Sequence, residues 1–82
     1  MNELQKLPNI GKVLAEKLIE VGVDNEQKLK DLGSEKVFVM IQSVFPDACI
    51  NHLYAIDGAI EGIRWHSLSN ARKNELNTFF KK

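Results

Sequence analysis

The sequence predicts an all-α domain, a compact bundle of five to six helices, and three observations support this fold class. Apolar residues recur along most of the chain at the spacing of a helix face. No segment requires the sustained alternation of apolar and polar residues that a half-buried strand shows. Glycine, proline and capping residues divide the chain into short helices with brief connections. With 82 residues, 44% of them hydrophobic, the chain suits one small core, so we expect a single domain over residues 1–82.

The N-terminal part contains two predicted helices separated by a tight turn. A short first helix, Asn2 to Lys6, ends because Pro8 pushes the residue before it away from helical geometry. A second helix runs from about Lys12 to Val21 and is stopped by Gly22. Its predicted inward face consists of Val13, Leu14, Leu18 and Val21.

Two more helices are predicted in the middle of the chain. Asp24 is the expected cap of the segment DNEQKLKDLG, which Gly33 closes. The next segment, VFVMIQSVF, contains strand-favouring residues, but its apolar positions also fall on one helical stripe. Because Ser34 is a suitable cap, we expect a helix from about Glu35 to Phe45. The stripe comprises Val37, Phe38, Ile41, Val44 and Phe45.

The C-terminal part contains the predicted central helix and a final helix. The central helix begins at Asp47 or Cys49, and its apolar residues are Ile50, Leu53, Ile56, Ile60 and Ile63. We expect Gly58 and Gly62 to lie inside it and to let another helix approach closely. The final helix starts after Ser69, with Trp65 packed near its base. Its predicted inward residues are Ala71, Leu76, Phe79 and Phe80, and Lys81 and Lys82 suit its end.

The segment Leu7-Pro8-Asn9-Ile10-Gly11-Lys12 lies between two predicted helices and resembles a helix-hairpin-helix (SAM-like) element. The hairpin of such an element often reads glycine, apolar residue, glycine, and here Asn9 stands in place of the first glycine. Asparagine tolerates left-handed backbone geometry, so the turn is preserved. We expect Ile10 to fill the gap between the helices and Gly11 to let the backbone approach a ligand. If Gly11 has a positive φ, Gly11→Val will destabilise the fold.

A helix that begins directly after this hairpin presents unpaired N–H groups and a partial positive charge, which suit a phosphate. Lys12 adds a full charge there, and Lys6 and Lys17 lie near enough in sequence to widen a basic patch. Such contacts grip a nucleic-acid backbone without reading bases. The alternative is a structural turn in which Ile10 is core and Lys12 is solvated, with nearby glutamates weakening the field. The candidate nucleic-acid-binding residues are Pro8, Asn9, Ile10, Gly11 and Lys12.

Charge and cysteine content exclude several classes of protein. Eleven basic and eleven acidic residues cancel, so nucleic-acid binding would have to depend on a local patch. No apolar run is long enough to span a bilayer, and MNELQKLPNIG lacks the features of a signal peptide, so we expect a cytoplasmic protein with no membrane partner. The lone Cys49 forms no internal disulfide, and no cysteines are paired at metal-ligand spacing. We therefore expect neither a metal nor a cofactor.

Cys49 and His52 are the residues that an enzyme or a metal site would use. They share a predicted helix face, with Asp57 about a turn further. A small buried cysteine is the commoner case, and a nucleophile would also need a pocket and an oxyanion donor. His66 would supply a third metal ligand, but no spacing signature supports zinc. The sequence therefore predicts no enzyme.

Two further groups of residues bear on nucleic-acid binding. Arg64 and Trp65 can stack on a base, although a lone tryptophan is more often a core residue. Arg72 and Lys73 form a second basic concentration, which we interpret as a solvated face. It would extend a phosphate-binding track only if the fold placed it beside the hairpin.

Segments along nearly all of residues 4–80 resemble the C-terminal domain of the TfoX/Sxy family, bacterial proteins associated with competence development and transcriptional regulation. The similar segments are LPNIGKVLAEKLIEVGV, LKDLG, HLYAIDGAIEGIRWHSLS and ARKNEL, in that order. The leucine-tyrosine-alanine run before the acidic-glycine-alanine step, with a tryptophan following, is the most distinctive. The resemblance implies a helical domain with a helix-hairpin-helix-like element, found behind an N-terminal α+β domain in some members and alone in others.

Two functions from different classes are compatible with these observations. The first is a non-enzymatic, helix-hairpin-helix-type nucleic-acid-binding module with a regulatory or accessory role linked to competence or transcription regulation, with DNA as the candidate partner. The second is a protein-interaction domain that engages a transcription component or self-associates, which the zero net charge favours. Salt separates them, because phosphate contacts weaken steeply as salt rises and an apolar interface does not.

Overall fold

A computed structural model of the chain describes residues 3–81 and contains five α-helices and two 3-10 turns. No strand occurs in this part of the chain, so the all-α prediction is confirmed, including the helical assignment of VFVMIQSVF. The helices are α1 (Lys12–Glu20), α2 (Glu26–Leu32), α3 (Ser34–Val44), α4 (Ile50–Glu61) and α5 (Asn70–Lys81), and the 3-10 turns are Glu3–Lys6 and Trp65–Ser67. The predicted start of the first helix at Asn2 and the predicted role of Lys82 lie outside the described residues.

Helix α4 is the central element, as predicted. It packs against α2, α3, α5 and the second 3-10 turn. Leu53 and Ile56 are fully buried on it, and burial of a side chain of this size stabilises a fold by about 1.5–3 kcal/mol. The core that surrounds α4 extends along the chain from Leu4 to Leu76.

Three residues predicted to face inward are exposed instead. Val13 is 65% exposed and Val44 is 50% exposed, and Ala71 also lies at the surface. The buried side of α1 is formed by Leu14, Ala15 and Leu18. Val13 lies about 100° around the helix from Leu14, outside the arc that the core covers. The spacing of apolar residues predicts that one side of a helix is buried, but it does not show how wide the buried side is.

Two predicted helix caps are wrong by one residue. Asn25 rather than Asp24 caps α2, because the Asn25 side-chain oxygen accepts the Lys28 N–H at 2.8 Å. Asp24 pairs with the Lys28 ammonium group at 3.1 Å. Ser34 is the first residue of α3 and is buried; its hydroxyl donates to Asp57 at 2.8 Å instead of capping the helix.

A buried ion pair holds α5 against the core. The Asp57 carboxylate, only 4% exposed, accepts hydrogen bonds from Arg72 Nε at 3.0 Å and from Arg72 Nη2 at 2.7 Å. These bonds keep the pKa of Arg72 above its ordinary value. The interpretation of Arg72 as part of a solvated face is therefore wrong, because its guanidinium group is committed to Asp57. Nothing in the sequence around Arg72 signals this partner.

Candidate nucleic-acid interface

We call residues 7–12 the hairpin segment. The first 3-10 turn leads into it, with the Leu7 N–H donating to the Leu4 carbonyl at 3.1 Å, and α1 begins at Lys12. Asn9 has a φ of 70° and is the only non-glycine residue with a positive φ among the described residues. The prediction that asparagine replaces a glycine at a left-handed position of this turn is confirmed.

The Asn9 side chain also fixes the hairpin segment to the far end of the chain. Its Nδ2 donates to the Ile63 carbonyl at 2.9 Å and to the Ala55 carbonyl at 3.4 Å. Its Oδ1 accepts the Trp65 N–H at 3.0 Å. A glycine would allow the same backbone conformation but would make none of these bonds, which explains why asparagine suits this position. The sequence showed the turn but not these partners.

Gly58 makes room for this contact. A Cβ atom at Gly58 would lie 2.6 Å from Asn9 Nδ2 and 2.9 Å from the Ile63 carbonyl oxygen. The prediction that another part of the chain approaches Gly58 closely is therefore confirmed. The approaching groups belong to the hairpin segment and to the backbone after α4, not to another helix. Gly62 lies at the end of α4 with a φ of 76°, not inside the helix as predicted.

The remaining hairpin residues divide into a buried part and an exposed part. Ile10 is 5% exposed and belongs to the core, as predicted for a residue that fills the gap beside α1, and Pro8 is half-buried. Gly11 is exposed with a φ of −91°, and a Cβ there would have no heavy atom within 4 Å. The turn therefore does not require glycine at Gly11, and the destabilisation considered for Gly11→Val is not expected.

Lys12 is exposed at the first position of α1. No side chain caps this helix, and its first turn contains no acidic residue. A shallow groove of about 210 Å³ lies beside Lys12 and is lined by Gln5, Ala15, Glu16 and Ile19 as well. Lys17 does not widen this basic surface, because it lies about 140° around α1 from Lys12. Its ammonium group lies over the Phe45 ring, 5.2 Å from the centroid.

Residues 63–67 form a second turn beside the hairpin segment, and we call it the Trp65 turn. Arg64 lies between Ile63 and Trp65, which both bind the Asn9 side chain, and it is exposed. The Lys73 ammonium group lies 5.8 Å from the centroid of the Trp65 ring and donates to the His66 carbonyl at 3.4 Å. The fold thus connects Lys73, but not Arg72, to the hairpin segment through Trp65.

The Cys49 and His52 pair has a structural role at the start of α4. The Cys49 N–H donates to His52 Nδ1 at 3.2 Å, the Cys49 sulfur lies 3.3 Å from the same nitrogen, and the two residues form a capping box. Burial and the nearby Lys17 charge lower the pKa of His52. Asp57 binds Arg72 instead of completing a catalytic group. Residues 3–81 contain no group of three potential metal ligands close enough to hold an ion.

None of the helices between residues 3 and 81 combines the length and the apolar character needed to cross a membrane.

The fold and the docked hairpin segment define a small all-α domain in which an N-terminal turn is fixed to the end of a central helix. The sequence profile of the TfoX C-terminal domain matches residues 1–80. The chain therefore belongs to the TfoX C-terminal domain family, which confirms the resemblance seen in the sequence. It is a regulatory-type domain family and not a family of known enzymes.

Two solved structures from Listeria monocytogenes are similar to this chain. One, an uncharacterized protein in a triclinic crystal form, is 46% identical with a TM-score of 0.94, and the match covers 95% of this chain and 89% of that one. The other, a protein of unknown function in a tetragonal form, is 45% identical with a TM-score of 0.92, and the match covers 94% of this chain and 95% of that one. No curated protein matches the chain.

Proposed function

We propose that this chain is a cytoplasmic, non-enzymatic nucleic-acid-binding module of the helix-hairpin-helix type, with a regulatory or accessory role. In this proposal the hairpin segment binds the phosphate backbone. The observation that supports it is the position of the Asn9 side chain, which both closes the hairpin and binds the Trp65 turn. In this proposal the exposed start of α1 and the exposed Arg64 contact the same ligand.

The hairpin residues have different roles in this proposal. Pro8, Asn9 and Ile10 set the shape of the turn, because Ile10 is buried and the Asn9 side chain is already hydrogen-bonded within the fold. The Ala15 N–H donates to the Gly11 carbonyl at 3.0 Å, and the N–H groups before it have no partner within the helix. Gly11 leaves space for a phosphate to approach them, and Lys12 supplies a full charge.

The charge of Lys12 supports a role outside folding. A lysine at a helix N-terminus opposes the helix dipole, an effect of about 0.3–1 kcal/mol. Acidic residues are the favourable choice there, yet the first turn of α1 has none. A residue that is unfavourable for its own helix is consistent with selection for a ligand.

A charge reversal at Lys12 tests the proposal. Lys12→Glu should abolish duplex DNA binding at low salt and leave thermal stability unchanged or slightly raised, because glutamate suits the helix dipole. Lys36→Glu is the matched control, since Lys36 is exposed on α3 and gives the same change in net charge. The measurement is an amide chemical-shift titration at low and physiological salt, with salt-sensitive shifts expected at Ile10, Gly11 and Lys12. Equal binding by Lys12→Glu and wild type would refute the hairpin as the phosphate site.

Gly11 offers a second test that separates binding from folding. Gly11→Ala should leave the free energy of unfolding unchanged to within about 0.5 kcal/mol, because Gly11 has an ordinary φ and open space around it. It should weaken DNA binding, because the added methyl group stands where a phosphate would approach. If Gly11→Ala binds DNA like wild type, no ligand comes close to this backbone.

A protein-interaction role is the second candidate function, and one observation favours it. Val13 is 65% exposed and Ile19 is 43% exposed on α1. An interface that buried them would be nearly insensitive to salt. Analytical ultracentrifugation of the chain at low and high salt detects self-association of this kind, and Val13→Ser would weaken it.

A further inference from the structure

Three aromatic rings meet at the Trp65 turn. The Tyr54 and Trp65 rings are stacked with centroids 5.8 Å apart and an angle of 12° between their planes. The Trp65 and His66 rings are stacked with centroids 3.9 Å apart and an angle of 28°. His66 is not among the residues that form the core or pack against it.

The burial of these rings differs in a way that suits ligand binding. Tyr54 and Trp65 are half-buried and pack against the core, whereas His66 is exposed. Trp65 is also fixed through its backbone by the hydrogen bond to Asn9. His66 is therefore the accessible ring on a support that the fold holds rigidly.

Two basic residues belong to the Trp65 turn or contact it. Lys73 lies over Trp65 and binds the His66 carbonyl, and Arg64 is exposed one residue before Trp65. Glu61, at the end of α4, is the acidic residue nearest to this turn in the sequence. In a chain with no net charge, this turn therefore combines an exposed aromatic ring with two basic residues, one of which contacts the supporting Trp65 ring. Cations beside a stacking surface are the features that proteins use for single-stranded nucleic acid.

We propose that the exposed His66 ring, supported by Trp65 and Tyr54 and flanked by Arg64 and Lys73, stacks on an unpaired base of a single-stranded nucleic acid. The inference rests on the proposed function, because the hairpin segment would hold the backbone of the same strand. Aromatic rings, histidine included, stack on splayed bases, whereas a base within a duplex has both faces covered. The Trp65 turn thereby favours a single strand over a duplex.

The chain contains one tryptophan, so its fluorescence reports directly on this surface. The ligands are a DNA strand of about twelve nucleotides that does not pair with itself, the RNA strand of the same sequence, and the DNA duplex. Each is titrated into wild type and three variants, His66→Ala, His66→Phe and Lys12→Glu, at low salt. His66→Phe keeps a stacking ring and is the matched control.

We expect the strand to change Trp65 emission and to bind more tightly than the duplex. His66→Ala should weaken strand binding about 5- to 150-fold, the effect of losing one stacked base, and leave duplex binding unchanged. His66→Phe should retain at least wild-type strand affinity. A preference for the RNA strand would support contacts to the ribose 2′-hydroxyl, and equal affinity would support stacking alone.

The variants separate failure of the base-stacking surface from failure of the hairpin. The stacking proposal is overturned if His66→Ala binds the strand like wild type, or if His66→Ala and His66→Phe lose the same affinity. In either case, if Lys12→Glu binds neither the strand nor the duplex, the hairpin segment is still supported as the phosphate site. If Lys12→Glu still binds the strand, and this binding is lost on replacing His66, the hairpin segment is not the phosphate site and the stacking surface is supported. Absence of binding to every ligand at low salt overturns both.

Discussion

Asn9 combines two properties at a single residue, tolerance of a left-handed backbone and a side chain that donates and accepts hydrogen bonds. Its φ of 70° needs the first property, and its bonds to Ile63 and Trp65 need the second. These bonds satisfy backbone groups just after α4, where the helix ladder no longer supplies partners. The orientation of the Trp65 turn therefore depends on a residue near the other end of the chain.

Replacement of Asn9 should strongly lower the free energy of unfolding. Asn9→Ala removes three hydrogen bonds and places at positive φ a residue that tolerates this backbone conformation less well than asparagine. The expected loss is about 2–4 kcal/mol in the free energy of unfolding. Asn9→Gly loses the same bonds, but glycine adopts the positive φ without strain. Its loss in the free energy of unfolding should therefore be about 1–2 kcal/mol smaller than that of Asn9→Ala. Urea denaturation measures both. Equal stability of Asn9→Ala and wild type would show that the hairpin segment is not held by this side chain.

At the scale of elements, α5 depends on a polar contact because it has little apolar surface to bury. Leu76 is its only fully buried residue among the described ones, and Phe80 adds a tilted ring contact to Phe38 at 5.7 Å. The Arg72 ion pair with Asp57 supplements these contacts. Because Asp57 is buried and the Arg72 side chain is about one-third exposed, the two partners should not be equally costly to remove.

Arg72→Ala should cost more than Asp57→Ala. Arg72→Ala leaves a carboxylate buried with only the Ser34 hydroxyl as a partner, for an expected loss of about 3 kcal/mol, the lower end for a broken buried pair. Asp57→Ala leaves a guanidinium group that can turn toward water, so its cost should be smaller. Urea denaturation of both single variants and the double variant measures the coupling. Additive losses would show that the pair contributes no interaction energy.

The start of α4 should make stability depend on pH. In the folded protein the pKa of His52 is lowered below 6.5 by burial and by Lys17, and its Nδ1 must stay unprotonated to accept the Cys49 N–H. Between the folded pKa and the unfolded value of about 6.5, the unfolded chain binds more protons. The stability that neutral His52 contributes is therefore fully present above the unfolded pKa, and it is lost as pH falls from that value through the folded pKa.

The control for this pH dependence is His52→Gln, which keeps an acceptor for the Cys49 N–H but does not titrate. Thermal unfolding of wild type between about pH 7.5 and pH 5.5 should show a falling midpoint, and the decrease should be smaller in His52→Gln. The same decrease in both proteins would assign the effect to other groups.

On the scale of the whole molecule, charge is balanced overall but not uniformly distributed. Two lysines of α2 are paired with carboxylates, Lys28 with Asp24 and Lys30 with Glu26. Lys12 ends the hairpin segment, Arg64 lies in the Trp65 turn that Asn9 binds, and the Lys73 ammonium group lies over the Trp65 ring. In the proposed function these three cations form one binding surface. Affinity for nucleic acid would come from this surface and not from a general positive field.

The proposed function then predicts a modest salt dependence. Three cations on a single strand give a slope of log K against log salt of about −2, from about 0.7 for each neutralised phosphate. Lys73→Gln should make the slope about 0.7 less steep, whereas Lys36→Gln should not change it. Fluorescence titrations at several salt concentrations measure the slope. A flat profile would favour an apolar protein interface instead.

Local sequence patterns determined the helices and the geometry of the turn. Helical spacing located α1 to α5 to within about three residues, because the glycine, proline and capping residues that end helices act on their immediate neighbours. The left-handed conformation of Asn9 followed from its residue type and from the turn in which it lies. Family membership was also evident from the order of short segments.

Only the tertiary structure decided which residues from distant parts of the chain meet. Asn9 binds residues 46 to 56 positions away, Arg72 binds the buried Asp57, and Lys73 contacts Trp65, whose backbone binds the hairpin segment. Periodicity indicates that a face is buried, but not against what. These contacts depend on how the helices pack around α4, which a chain read in order does not specify.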